Sequence, residues 1–178
     1  MPGKLVYYNV NGRGECIRAL LAHANFDYVD ERPDDVRQLE SIFAANMMGG
    51  WPIWIEDDYM MYQSNAILRM LGIRNGYYSE DPMIAYNIDS ICDFIEDVVD
   101  IFFKYPLPAV AFHRAPGDAD AWFADFWEKL VPVLDKRLAG HGKPFIAGTD
   151  RPTIADFKAS IFWGIVFQDC RGEQNFYT

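Results

Sequence analysis

The period of the hydrophobic pattern changes once along this chain of 178 residues, and that change constrains the fold. Up to residue 75, short β-rich runs alternate with apolar residues at helical spacing, whereas from residue 82 onward the spacing is helical throughout. The first part follows the order β-α-β-α-β-β-α, which predicts a small mixed sheet covered by helices. The polar stretch 75–82 is a candidate linker. We therefore predict an α/β domain over residues 1–75 and an all-helical domain over residues 82–178.

The individual elements follow from the same spacing. Strands are predicted at residues 4–8, 26–31, 52–56 and 59–62, the last two forming a hairpin around Asp57 and Asp58. Helices are predicted at residues 14–25, 34–45, 64–71, 83–104 and 122–134, the last with a kink at Pro132. A further helix opens at Thr153, where Asp156 stands three residues later and completes a capping box.

Composition and charge exclude several classes of function. Acidic residues outnumber basic ones by 26 to 16 and the formal net charge is −10, so the chain lacks the basic face that a nucleic-acid-binding protein needs. No apolar run approaches the roughly 20 residues that span a bilayer, and the N-terminus has no signal-peptide core. We therefore expect no nucleic-acid partner, no membrane partner and a cytoplasmic location.

The cysteines and histidines show no spacing typical of redox dithiols or metal ligands. The cysteines, at positions 16, 92 and 170, form no CxxC pair, so a disulfide scaffold is not expected and a reducing compartment is the simplest one. Cys16 falls on the apolar side of the helix 14–25 and is interpreted as a core thiol. The histidines, at positions 23, 113 and 141, are scattered, and we expect no metal site.

The pair Gln63-Ser64, at the start of a predicted helix, is the most informative binding feature. A helix N-terminus exposes unpaired N–H groups and the positive end of the helix dipole, and both attract a carboxylate. Upstream, the segment 51–53 (WPI) is typical of an extended edge that offers its backbone to a peptide. Together the two pieces indicate a pocket for a small acidic peptide. An ordinary N-cap after an ordinary hairpin explains the same residues, and that alternative stays open.

Four motifs, in order along the chain, resemble those of the cytosolic glutathione transferases, which join a thioredoxin-like domain to an all-helical domain. The segment 4–15 (KLVYYNVNGRGE) is similar to the sigma-class opening, which haematopoietic prostaglandin D synthases share with invertebrate sigma enzymes. The segment 51–53 matches the family's cis-proline segment, the pair 63–64 its γ-glutamyl-binding pair, and the segment 153–157 its capping box. The resemblance covers nearly the whole chain.

The resemblance implies that Tyr7 and Arg13 are the catalytic residues. A neutral tyrosine hydroxyl that donates to the glutathione sulfur favours the thiolate, as does a helix N-terminus. Adjacent strand residues point to opposite faces, so Tyr7 and Tyr8 cannot both reach the sulfur, and the family register selects Tyr7. Arg13 would add positive charge beside the sulfur, although a solvated arginine at a helix start explains the same residue. Glutathione is the implied co-substrate, with no metal.

The resemblance also assigns the groups that hold the glutathione peptide. Gln63 and Ser64 would bind its γ-glutamyl end. A cis peptide bond at Pro52 would hold the backbone of Trp51 so that its N–H and C=O pair with the cysteinyl group of glutathione. Binding would therefore use the Trp51 backbone and not its ring. Cis X-Pro bonds are otherwise uncommon, at about 5–6% of such bonds.

Two further contacts are implied less directly. Asp97, on the helix 83–104, matches an acidic residue that reaches the glutathione amine of the other subunit in sigma-type homodimers. A solvated acidic helix face explains Asp97 equally well. Sigma enzymes hold the glycine carboxylate with a Trp and a Lys, and neither stands between residues 35 and 40 here, where Gln38 or Arg37 would have to substitute.

The acceptor site is the least constrained part of the prediction. Tyr8, Gly12, Val99 and Phe103 are assigned to it by position alone. The resemblance implies a detoxifying enzyme that conjugates glutathione to a hydrophobic electrophile, or uses it to isomerise a lipid-like substrate or to reduce peroxides. The alternative is a non-catalytic binding or structural protein of this lineage, such as a ligandin or a crystallin. Family members extend well beyond the helix opened at residue 153, so the short C-terminus predicts a wider acceptor site.

Overall fold

The structure is a computed structural model that describes residues 2–9, 11–33, 50–104, 128 and 131–163, with the backbone alone at 101–104 and 162–163. In chain order, the helices and strands of the described residues are β1 (Lys4–Val6), α1 (Glu15–His23), β2 (Val29–Glu31), β3 (Ile53–Glu56), β4 (Tyr59–Met61), α2 (Ser64–Asn75), α3 (Pro82–Lys104), α4 (Val131–His141) and α5 (Ile154–Trp163).

The described strands form one mixed sheet in the order β2-β1-β3-β4. β1 pairs in parallel with β2, through the crossover helix α1, and antiparallel with β3, which continues into the β3-β4 hairpin. Leu5, opposite Trp54 on β3, and Val6 are both fully buried. A strand that is covered on both faces carries a continuous apolar run, and this is why β1 shows no polar alternation.

Helix α1 covers one face of this sheet through a narrow apolar stripe. Cys16, Ile17, Leu20 and Leu21 are completely buried, and their spacing of one, three and four residues places them on one side of the helix. The helix begins at Glu15, whose N–H donates to Gly12 O at 2.8 Å. The predicted helix 14–25 is therefore confirmed, one residue shorter at its start and two at its end.

Helix α5 joins the helical part to the sheet part, since it packs against α3, α1 and α2. Its approach to α2 depends on Gly72, because a Cβ at that position would lie 2.2 Å from Ile154 Cγ2. One continuous core results, in which Ile91 and Ile95 of α3 meet Ile161 of α5 and residues of the sheet. The two predicted parts of the chain therefore share apolar packing.

The capping box predicted at Thr153 is present. The N–H of Thr153 donates to Asp156 Oδ2 at 2.7 Å, and the Thr153 hydroxyl donates to the same oxygen at 3.0 Å. The other carboxylate oxygen, Oδ1, accepts the N–H of Ile146 at 3.0 Å. Asp156 thus starts α5 and also fixes the turn that precedes it.

The observed ends of β1 and α2 differ from the predicted ones, because a turn of the backbone sets each end. β1 ends at Val6, although the N–H of Tyr7 still donates to Glu31 O at 3.1 Å. α2 continues four residues beyond the predicted end, to Asn75, and ends at Gly76 with φ 79° in the left-handed region that glycine accepts readily. The helix predicted at 34–45 lies outside the described residues. So does most of the one at 122–134, including the stretch on which a kink at Pro132 depends.

Candidate functional site

The end of β1 places Tyr7 against the turn that leads into α1. Tyr7 is 5% exposed, and its ring lies so close to Gly14 that a Cβ there would be 2.4 Å from the ring. Glycine at position 14 is therefore required by the ring and not by the backbone conformation. Tyr8 is half-buried, with its ring 5.9 Å from that of Tyr7 and 5.7 Å from that of Trp51.

Burial determines the protonation state of Tyr7. Desolvation raises the pKa of Tyr7 to about 12, against a backbone hydrogen bond from Arg13 and the nearby guanidinium groups of Arg13 and Arg18, which lower it. The phenol is therefore protonated at neutral pH and is a hydrogen-bond donor. This is the state that a donor to a thiolate requires.

A buried arginine holds the backbone of this segment in place. Arg18, on α1, is 5% exposed and donates through Nη2 to Tyr7 O at 3.2 Å and to Tyr8 O at 3.1 Å. Its charge is balanced by Asp30, which accepts from Nε at 3.1 Å, and its guanidinium carbon lies 5.6 Å from the centre of the Tyr7 ring. Arg18 therefore holds the two carbonyl groups at the end of β1 and places a positive charge over the Tyr7 ring.

The segment before β3 has the geometry that the resemblance implies. The peptide bond between Trp51 and Pro52 is cis, and Pro52 is buried. Ile53, the first residue of β3, pairs with Val6 of β1. This pairing brings the backbone of Trp51 to the same end of the sheet as the turn after β1.

The turn into α2 shows an unusual backbone conformation at Gln63. This residue has φ 71° and ψ 107°, a positive φ that a non-glycine residue adopts at a cost of about 1–3 kcal/mol. Such conformations persist where surrounding structure fixes them and are frequent at ligand sites. Ser64 follows as the first residue of α2 and is 7% exposed, so its hydroxyl lies at the positive end of the helix dipole.

A cavity of about 330 Å³ lies between this end of the sheet and α3. Its size is that of a small-ligand site. The lining comes from three parts of the chain: the turn before α1, the segment before β3 with the start of α2, and α3. The lining residues are Arg13, Gly50, Trp51, Gln63, Ser64, Asn65, Glu96 and Asp100.

The charge in the cavity is carried by an ion-pair network around Arg13. Its Nε donates to Glu96 Oε1 and its Nη2 to Asp100 Oδ1, both on α3. Glu96 Oε2 in turn accepts from Nζ of Lys158 on α5, which is completely buried. Burial alone would raise the pKa of Glu96, but the Lys158 ammonium and the Arg13 guanidinium hold it below its usual value. Arg13 is thus paired with two carboxylates.

Sequence comparison identifies the family to which the chain belongs. The chain is 36% identical over 172 residues to glutathione S-transferase P 1 of Xenopus laevis, an alignment that covers 88% of this chain and 74% of that protein. The chain belongs to the glutathione S-transferase family. It is also 29% identical over 152 residues to glutathione S-transferase A2 of Bos taurus, covering 82% of this chain and 65% of that protein. No protein-family model matches the chain.

Solved structures of glutathione S-transferases share the fold. The enzyme from Ascaris lumbricoides superimposes with a TM-score of 0.75 at 23% identity, over 94% of this chain and 81% of that one. A glutathione S-transferase described as monomeric, from the hookworm Necator americanus, gives 0.76 at 24% identity, over 98% and 87%. The predicted class, a thioredoxin-like α/β domain with an all-helical C-terminal domain, is therefore confirmed.

The structure brings together only part of the predicted glutathione S-transferase site. Arg13, Trp51, Gln63 and Ser64 line one cavity, with Pro52 buried directly beside Trp51. Tyr7 is absent from that lining and touches it through the backbone of Arg13.

Three other predicted positions lie apart from the cavity lining. Asp97 is exposed on α3, while its neighbours Glu96 and Asp100 line the cavity. Gly12 is buried in the turn before α1. Val99 is completely buried in the core, so it presents no surface to an acceptor.

Two predicted residues lie outside what the structure describes. They are Gln38 and the side chain of Phe103.

Sequence reasoning missed several residues of the cavity. Asn65 lines it, and its Oδ1 is buried without a hydrogen-bond partner among the described residues, while its Nδ2 donates to Asp93 at 3.2 Å. Glu96 and Asp100, on the same helix as Asp97, were given no role from the sequence. Their spacing of four residues, which places them on one side of α3, was the available signal.

Cys16 is the core thiol that its position predicted. It is completely buried and its Sγ donates to Arg13 O at 3.3 Å. Burial raises the pKa of the Cys16 thiol to about 11, so it is protonated at neutral pH and is not a nucleophile.

Two further expectations were that the chain has no metal site and no membrane partner. Among them, no cluster of three or more His, Cys, Asp or Glu residues could hold a metal ion. Within the same part of the chain, none of the helices is both long enough and apolar enough to cross a membrane.

Proposed function

We propose that this chain is a sigma-like glutathione transferase that binds glutathione in the cavity and presents its thiol as a thiolate to hydrophobic electrophiles. One observation carries the proposal: Arg13, Trp51, Gln63 and Ser64, assigned to glutathione from sequence motifs that span about 50 residues, line a single cavity.

The cavity provides groups that suit the γ-glutamyl end of glutathione. Its α-carboxylate would lie at the start of α2, where Ser64 and the first free N–H groups of the helix are donors. Its ammonium would face Asn65 Oδ1, a buried acceptor with no partner among the described residues. The cysteinyl backbone would pair with the backbone of Trp51, held by the cis bond to Pro52.

Thiolate formation would depend on Tyr7. A free thiol has a pKa of about 8.5, and lowering it to about 6.5 requires about 2.7 kcal/mol. One hydrogen bond from a neutral donor to the thiolate, together with the N-terminus of α1, can supply energy of this size. The raised pKa of Tyr7 keeps its hydroxyl protonated and therefore able to donate.

The finer features of the proposal follow the sigma-class pattern. Residues 1–75 would form the glutathione-binding domain and residues 82–178 the helical domain, with isomerase or peroxidase activity as variants of the same thiolate chemistry. In a homodimer, the exposed Asp97 would reach the partner's glutathione. Gln38 would hold the glycine carboxylate, and Tyr8 and Phe103 would border the acceptor site.

A non-catalytic binding protein is the second candidate, and two observations favour it. Arg13 is neutralised by Glu96 and Asp100, and Tyr7 does not line the cavity. Glutathione could therefore bind at Gln63 and Ser64 without ionisation of its thiol.

Two assays on the same protein separate these candidates. The transferase proposal predicts retention on immobilised glutathione and conjugation of chlorodinitrobenzene that Tyr7→Phe suppresses. The binding-protein alternative predicts retention with turnover no greater than that of the Tyr7→Phe variant. Lack of retention, with no glutathione binding in titration calorimetry, would contradict both.

A further inference from the structure

The completely buried ammonium of Lys158 is the feature of this structure that the proposed function leaves unexplained. Lys158 lies on α5, outside the cavity lining, and is 0% exposed. Lysine is almost never fully buried unless it is paired, because its charge is strongly stabilised by water. Its partner is Glu96, which does line the cavity, so the buried charge acts on the cavity through one intervening carboxylate.

The charges around Arg13 show what the buried lysine contributes. Arg13 faces two carboxylates, Glu96 Oε1 and Asp100 Oδ1, so these three groups alone would give the cavity a net charge of −1. The Lys158 ammonium takes the second oxygen of Glu96 and brings the group of four to neutrality. Glutathione is itself anionic near neutral pH, and the chain carries a net charge of −10, so an uncompensated carboxylate here would oppose both binding and thiol ionisation.

The geometry also links Lys158 to the position of Arg13. Lys158 on α5 holds Glu96 from one side, and Glu96 holds Nε of Arg13 from the other, where the turn from β1 enters α1. Among the described residues, the buried thiols of Cys16, on α1, and Cys92, on α3, also interact with this ammonium. Each has a pKa raised to about 11 or about 12, mainly by burial, and is uncharged at neutral pH. The net charge beside the cavity is therefore set by four groups: Lys158, Glu96, Arg13 and Asp100.

We propose that Lys158 is a positioning residue of the glutathione site, which neutralises Glu96 from behind the cavity and so leaves Arg13 able to favour the glutathione thiolate. The inference rests on the proposed function for its ligand. It assigns to α5, which contributes no residue to the cavity lining, a role in setting the cavity's charge. A purely structural α5–α3 ion pair would stabilise the fold without affecting the ionisation of a bound thiol.

The test compares Lys158→Met with the double variant Lys158→Met, Glu96→Gln. The first removes the ammonium and leaves the cavity with one excess negative charge, while the second removes both charges and restores neutrality. The fraction of bound glutathione present as thiolate is measured by its ultraviolet absorption against pH. Lys143→Met is the matched control, because it removes an exposed ammonium that pairs with Asp150.

We expect the thiolate fraction to fall in the single variant and to recover in the double variant. Lys158→Met should lower the thiolate fraction at about pH 6.5 by roughly three- to tenfold, the scale of one charge acting across a partly hydrated site. The double variant should recover to within about twofold of the parent, and Lys143→Met should match the parent. An unchanged thiolate fraction in folded Lys158→Met would overturn the inference. So would failure of the double variant to recover, since distortion of the fold would then explain the loss.

A second measurement needs no glutathione and separates this inference from the proposed function. Arg13→Met and Lys158→Met each leave Glu96 with one cation, whereas the combined variant leaves it with none. In urea unfolding, the combined loss should therefore exceed the sum of the two single losses, by about threefold or more in the unfolding equilibrium constant. Additive losses would overturn the inference even in a parent that binds glutathione. A parent that shows the coupling but fails to bind glutathione would contradict the proposed function and, with it, the glutathione role of Lys158.

Discussion

The capping box of α5 gives the sharpest stability prediction. Asp156→Ala removes a carboxylate that accepts three hydrogen bonds, two from Thr153 and one from the N–H of Ile146. Thr153 is 5% exposed and Ile146 is 8% exposed, so water cannot easily replace the lost partner. Because α5 packs against α3 and α1, the loss should affect cooperative unfolding of the core and not only the end of one helix.

The size of the effect follows from these contacts. Loss of a helix cap costs about 0.5–2 kcal/mol, and a buried N–H left without an acceptor costs about 1–3 kcal/mol more. The sum is about 3 kcal/mol, which corresponds to a fall in Tm of about 6–12 °C for a chain of this size. Asp156→Asn keeps one acceptor oxygen and should lose roughly half as much.

The assay is urea and thermal unfolding at one protein concentration, so that any self-association affects all variants equally. Asp150→Ala is the matched control: its carboxylate is 75% exposed, and the pair with Lys143 is worth less than about 1 kcal/mol. If the Asp156→Ala and Asp150→Ala variants have the same unfolding free energy and Tm, the capping box contributes no more than a surface ion pair and the reasoning is refuted.

Four further predictions concern the site and the assembly. Tyr7→Phe should lower the rate constant for conjugation by about 10–150-fold with glutathione affinity nearly unchanged, in single-turnover kinetics. Ser64→Ala and Gln63→Ala should raise the glutathione KM more than they lower kcat. The protein should sediment as a homodimer in which Asp97→Asn weakens glutathione binding. The pKa of Glu96 is lowered in the folded protein, so its contribution to stability is present above the ordinary glutamate pKa and is lost as the pH falls below it, and Glu96→Gln should flatten the unfolding free energy against pH below about 5.

Each of these has a result that contradicts it. Loss of activity in Tyr8→Phe but not in Tyr7→Phe would mean that the strand register is wrong. Unchanged glutathione affinity in both Ser64→Ala and Gln63→Ala would remove them from the site. A monomer at micromolar concentration, the state described for the hookworm protein, would remove Asp97 from the partner's site. A Glu96→Gln protein with the parent's pH dependence would show that the ion pairs add no stability.

Much of the fold could be predicted because local chemistry determines it. The apolar spacing of α1, the box at Thr153 and Asp156, and the hairpin turn at Asp57, with φ 50°, all depend on residues close together in the sequence. The end of α2 was less predictable. Its last turn depends on the left-handed Gly76 and on the packing of Gly72 against α5, which is a contact distant in sequence.

The site was predictable only where a motif marks it. Trp51 and Gln63 stand in recognisable segments, whereas Glu96 resembles any acidic residue on a solvated helix until Arg13 is placed beside it. Lys158 gives no sequence signal at all, because the pattern of α5 places a lysine on a helix and only the tertiary structure buries it. Val99 was assigned to the acceptor site by position, but the packing of α3 into the core buries it completely.

The central claim is that the cavity holds glutathione and ionises its thiol with the help of Tyr7. The most direct test is the ultraviolet pH titration of glutathione bound to the parent and to the Tyr7→Phe variant. We predict an apparent thiol pKa of about 6.5 in the parent complex and a return toward about 8.5 in the variant, with glutathione affinity kept. Bound glutathione that titrates as it does in water in both proteins, or no binding at millimolar glutathione, would contradict the account.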